Sequence, residues 1–184
     1  MDRRFEPLNK FSIGVPYDYE HHTQIGRAVN RLVGAEGVNF VHENLIDDNF
    51  TKTTDRLVAG KPYEVLLFFV KSRASSEACV EFLLSQRALL VGAQGLLLVQ
   101  SLASWQFPVD SWVHSLDVKA NLFPAEVVSE TGRGKKKTGF VYQTPFASCD
   151  KKGFWSFGTS DFVDDLGLLG HEEKDYILCV RELA

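Results

Sequence analysis

Three cysteines, five histidines and one basic run are the side chains of this 184-residue chain with the strongest chemistry, and their spacing narrows what each can do. Cys79 and Cys179 lie within apolar runs, where cysteine behaves as a small hydrophobe. Cys149, in FASCDKK, has polar neighbours and is the candidate reactive thiol, expected at the surface. A thiol nucleophile needs a base, so the enzymatic alternative is a cleft that brings His114 to Cys149 or to an acidic group. No G-x-S-x-G element is present. His21, His22, His42, His114 and His171 form no H-E-x-x-H grouping, and the cysteines form no C-x-x-C, so neither a metal nor another cofactor is expected. The pairs Asp47–Asp48 and Asp164–Asp165 lack the alternating ligand spacing of a calcium loop and read as caps and turns.

The basic run GRGKKKTG, residues 132–139, invites a phosphate reading because glycines free backbone N–H groups and lysines neutralise oxygens. A phosphate loop needs a single Lys after its second glycine, followed by Ser or Thr, and this order is missing. The run therefore reads as a solvated hairpin tip, with anion or nucleic-acid contact through 132–139 as the alternative. A formal net charge of −4, without a strongly basic half, argues against nucleic acid as the main partner. Aromatic residues cluster in the irregular stretch after Trp105. Trp112, Tyr142 and Trp155 are the candidate anchors of a binding surface, and Arg133, Lys135, Lys136 and Lys137 are its candidate rim charges, steering a protein partner. No residue is assigned a catalytic role. The same aromatics also suit the core of a loop-rich fold, and loss of folding on substitution separates the two readings.

The elements that must position these residues follow from periodicity. FSIGVPYD alternates up to Pro16 and predicts a strand. Ile25, Ala28, Val29, Leu32 and Val33 recur at helical spacing, predicting an amphipathic helix over about 20–33, and VNFVHENLI predicts a second strand. YEVLLFFVK is apolar on consecutive residues, as a strand buried on both faces must be. Ser75 or Ser76 can cap a helix carrying Cys79, Phe82 and Leu83 on one side, and GAQGLLLVQSLA predicts a second, deeply packed helix. DSWVHSLD and TGFVYQTPF predict strands, GFWSFG a short aromatic segment, and DYILCVRE the closing strand. The expected class is α+β: a mixed or antiparallel sheet with two adjacent helices and a long loop-rich region. Residues 1–60 form an N-terminal β-α-β segment, either a lobe or part of the same domain, and 61–184 the α+β domain.

SSEACVEFLLSQRALLV and the ending DYILCVRE resemble the C-type lectin-like fold, in its formylglycine-generating and phage variable-protein branch. That resemblance implies a loop-rich binding surface and places Cys79 near Cys179 as a core thiol pair. It does not imply calcium-dependent sugar binding, because QFPVD and QTPF match none of the E-P-N, Q-P-D or W-N-D motifs, nor oxidase chemistry, because Cys149 and Cys179 lack the family's paired setting. The order of strand, SSE helix and GAQG segment is also similar to a class of small bacterial and phage proteins without known activity. This likeness implies an accessory or interaction role. The opening MDRRFEPLNKFSIG has no apolar leader core and no run approaches the roughly 18 residues of a spanning helix, so no membrane association and a cytoplasmic location are expected.

Overall fold

A strand whose successive residues are all apolar needs cover on both faces, and the third strand is where this chain provides it. The structure, a computed structural model, describes residues 2–32, 38–130, 136–162 and 174–183. Its elements are β1 (Phe5–Gly14), α1 (Gln24–Leu32), β2 (Val38–Val41), β3 (Pro62–Val70), α2 (Ser76–Ser85), α3 (Gly92–Ala103), β4 (Ser111–His114), β5 (Phe123–Glu130), β6 (Lys136–Cys149), β7 (Trp155–Asp161) and β8 (Lys174–Glu182). The class is α+β. The strands form one 8-stranded mixed sheet in the order β1-β3-β8-β4-β6-β7-β2, with β5 paired to β6 beside this path. β4 runs parallel to β8 and β2 parallel to β7, and the remaining pairs are antiparallel.

Side chains alternate across a strand, so β3 and β8 each feed two cores. Val65, Leu67, Tyr176, Leu178 and Val180 point to one face, where Ile25 and Ala28 of α1 and Leu96, Leu97 and Val99 of α3 cover them. Leu66, Phe68, Ile177 and Cys179 point to the other, under Cys79, Phe82 and Leu83 of α2. The two helices adjacent in the chain thus lie on opposite faces of the sheet. Cys79 and Cys179 belong to one cluster and are both free thiols; burial pushes the first up to about 12 and the second up to about 11.

Local chemistry sets the helix ends. The Ser75 hydroxyl accepts the Ala78 N–H at 3.1 Å and caps α2. At its other end, Arg87 adopts φ 58° while its N–H donates to the Leu84 carbonyl and the Ala88 N–H to that of Leu83, the left-handed close that glycine usually occupies. The first N–H groups of α1 are satisfied from a distance: the Gln94 amide oxygen accepts from Gln24 at 2.9 Å, and the Asp47 carboxylate accepts from Ile25 and Gly26 at 3.1 and 2.9 Å. Gln94 closes the arrangement by donating to Asp47 at 2.9 Å. A buried glutamine in the first turn of α3 therefore docks α1 onto it.

Three expectations change. β2 ends at Val41 because the chain turns at once, with the Leu45 N–H donating to the His42 carbonyl, so VNFVHENLI is only partly strand. β6 is longer than TGFVYQTPF, reaching Cys149. FPAEVVSE, which has no clean alternation, is β5: it pairs with β6 alone, and Val127 and Val128 are exposed. No helix among the described residues is long and apolar enough to cross a membrane.

Candidate ligand-binding site

Helix α2 covers the face of β1, β3 and β8 but stops short of β6, β7 and β2, and the residues on that face change accordingly. Register aligns one row across the sheet as Phe40, Ser156, Ser148, Trp112 and Asp175, and the next as Gly158, Phe146, His114 and Ile177. Where α2 is missing, serine, glycine and aromatic rings replace the branched aliphatics. Trp112 and Phe146 lie 4.2 Å apart between ring centroids, and the Phe146 ring lies over Gly158, where an added Cβ would stand 2.7 Å from Cζ. Phe40, half exposed, closes the row from β2.

These rings and serines line an open cavity of about 390 Å³, bordered by Asp110 and Asp150. Asp110 adopts φ 60°, a left-handed conformation that aspartate tolerates better than most side chains. Its N–H donates to the Cys149 carbonyl at 2.7 Å, and its carboxylate pairs with Lys151 at 3.3 Å. The Asp150 carboxylate accepts the N–H groups of Lys152 and Phe154 at 2.8 and 2.9 Å, building the turn between β6 and β7. The lining contains neither lysine nor arginine. A larger groove of about 650 Å³ runs past Lys10, Glu64, Arg87 and Arg181, but Glu64 pairs with both Lys10 and Arg181, so much of its charge is already spent internally.

The structure brings few of the expected binding residues together. Trp112 lies in the cavity. Tyr142 is on the same face of β6 but farther along, packed against the α2-side core with the Lys119 ammonium 5.3 Å from its ring. Trp155 leaves the opposite face: it pairs with Cys149, packs edge-on to Phe107 and stacks on Phe157. The sheet thus separates Trp155 from Trp112. Lys136 and Lys137 begin β6, opposite Glu130 and Ser129 on β5. Arg133 and Lys135 lie outside the described residues, as do His171 and the pair Asp164–Asp165.

Register also parts the enzymatic pair. Cys149 is opposite Ser111 and His114 opposite Phe146, an odd separation along both strands that sends the two side chains to opposite faces. Cys149 is moreover buried, not a surface thiol as its neighbours suggested, and burial together with the Asp150 charge raises its thiol above the usual range. His114 is buried instead between Asp175, 3.4 Å from Nε2, and Ser160, 3.4 Å from Nδ1. These contacts give both imidazole nitrogens a polar neighbour within the sheet. Beside Ser160 in register, the buried Thr144 hydroxyl has no hydrogen-bond partner. Among the described residues no group of three or more His, Cys, Asp or Glu side chains is placed to hold a metal ion.

Sequence reading singled out Trp112 and Cys149, both in the cavity lining, but missed Asp110, Ser111, Phe40, Phe146, Ser148 and Ser156. TPFAS does carry a weak sign, an aromatic ring two positions from a hydroxyl on the same strand face, but nothing one-dimensional joins Phe40 to it. No family model, curated protein or solved structure matches this chain.

Proposed function

We propose that the protein is a non-catalytic binding module that recognises a protein partner through the Trp112 cavity. The observation that carries this reading is the cavity itself: β2, β4, β6 and β7 all contribute to it, at the part of the sheet that α2 leaves uncovered. Aromatic side chains bring large contact area at low entropic cost, and a polar rim around them is the usual anatomy of an interaction hot spot. On this reading the likeness to the C-type lectin-like fold extends to a binding role and not to calcium or sugar chemistry. An accessory factor of a bacterial or phage cytoplasm is the role that fits it.

The test is capture from host lysate by the tagged protein, read by mass spectrometry beside Trp112→Ala and Trp155→Ala, each first checked for folding by circular dichroism. Trp112→Ala should keep the fold and lose about 2 kcal/mol of binding, roughly thirty-fold. Trp155→Ala should act on stability, because its ring packs into the core of the α3 face. A partner captured equally well by wild type and folded Trp112→Ala overturns the assignment of the site.

A further inference from the structure

We infer that the cavity takes an arginine side chain presented by an extended segment of the protein partner; this rests on the binding reading above. Three features of the lining favour a planar cation. Trp112 and Phe146 present aromatic rings, whose faces attract positive charge. The acceptors are the Asp110 carboxylate and the Ser148 and Ser156 hydroxyls, which register places directly opposite each other, while the Asp150 carboxylate, engaged by the turn N–H groups of Lys152 and Phe154, adds negative charge to the rim. No basic residue belongs to the lining, so an incoming guanidinium meets complementary charge.

The protein already shows that the rim draws a cation. The Lys151 ammonium sits on the Asp110 carboxylate, from a side chain that is 81% exposed. Exposed pairs of this kind contribute little, so an arriving cation can displace it. Arginine fits better than lysine because its flat guanidinium stacks on a ring while forking onto a carboxylate, and it is more weakly hydrated. At about 390 Å³ the cavity lies at the small-ligand end of binding sites and admits a side chain, not a helix.

The experiment labels the full chain with 5-fluorotryptophan and follows its fluorine resonances, assigned by single Trp→Phe variants, while adding blocked Gly-Arg-Gly, Gly-Lys-Gly or Gly-citrulline-Gly. The arginine peptide should shift the Trp112 resonance saturably in the millimolar range and leave Trp105 unmoved. Citrulline, of the same shape but uncharged, should bind at least ten-fold more weakly. Asp110→Asn, which retains the left-handed backbone, should weaken the arginine peptide by a similar factor, and Lys151→Ala should tighten it several-fold. Equal binding of arginine and citrulline overturns the cation assignment while the cavity stands as a binding site. No shift with any of the peptides overturns it and removes the cavity from the proposed function as well.

Discussion

Gly158 is the position at which the shape of the cavity can be tested without touching a polar group. An alanine methyl there would stand 2.7 Å from Phe146 Cζ, 3.0 Å from Cε1 and 3.4 Å from Cε2, against roughly 3.5–4.0 Å for relaxed carbon contacts. The ring must therefore retreat by about 1 Å, and Trp112, 4.2 Å away between ring centroids, packs against it. Overpacking of this kind costs about 1–3 kcal/mol. Removing a glycine from a strand returns about 0.5–1 kcal/mol of chain entropy, leaving a net loss of about 0–2.5 kcal/mol, centred on about 1 kcal/mol. For a chain of this size the centre of that range lowers Tm by about 2–5 °C. The assay is urea unfolding of wild type, Gly158→Ala, Phe146→Leu and the double variant, with the Trp112 fluorine resonance read in parallel. Because leucine ends short of Cζ, the two changes should compensate, giving a coupling of about 1 kcal/mol or more. Strict additivity, or a Gly158→Ala protein as stable as wild type with an unmoved Trp112 resonance, would refute the stacking of Phe146 on Gly158.

Arg87→Gly should raise stability by about 0.5–1 kcal/mol, seen as a higher urea midpoint at unchanged slope, because it relieves the left-handed arginine at the end of α2; a lower midpoint would mean that the arginine side chain contributes more than its backbone costs. His21 is held neutral by burial, then by Arg56 and His22, with its pKa lowered to about 4, while its ring nitrogens face the Tyr19 and Thr53 hydroxyls. The unfolded chain binds this proton from about pH 6.5 downward and the folded chain only near 4, so wild type should lose stability relative to His21→Gln between these values, on the order of 2–3 kcal/mol, and level off below; parallel pH profiles of the two proteins would contradict this. Native protein should react with a disulfide reagent far more slowly than free cysteine, and all three thiols should appear on denaturation, since Cys79, Cys149 and Cys179 are buried with raised pKa values; one fast native equivalent would return a reactive thiol to the account.

The parts of the fold legible in one dimension are those whose environment is uniform along the element. β3 and the closing strand β8 are covered on both faces, so they read as unbroken apolar runs, and α3 is so deeply buried that nearly all of GAQGLLLVQSLA is in the core. β5 was illegible because only its first residues, Phe123 and Ala125, pack inward, while Val127 and Val128 farther along are exposed, so no buried face runs the length of this edge strand to impose alternation. The site depended on register, which local composition does not carry. Ser148 opposes Trp112 and its neighbour Cys149 opposes Trp155, and that single-residue step puts the two tryptophans on opposite sides of the sheet. The same step hides Cys149: its polar neighbours Asp150, Lys151 and Lys152 lie beyond the end of β6, while the thiol is still on a buried strand position.

β7 shows in one element how the sheet comes to have a packed face and a face that leaves a cavity open. Its residues toward α3 include Trp155 and Phe157, both joined to the main core, and Phe157 is fully buried. Its residues toward the cavity side are Ser156, Gly158 and Ser160, none of which has the volume to form a core. A strand selected only for stability would place branched aliphatics on both sides and call for a second helix over the outer face. Here the small residues instead let larger rings from neighbouring strands lie across them: Phe146 occupies the space above Gly158, and Trp112 rests against Phe146. The aromatic surface is thus held by the absence of side chains on β7 as much as by the rings themselves. It is an open, half-buried surface fixed on strands, so the proposed occupant would meet it without the cost of first ordering a loop.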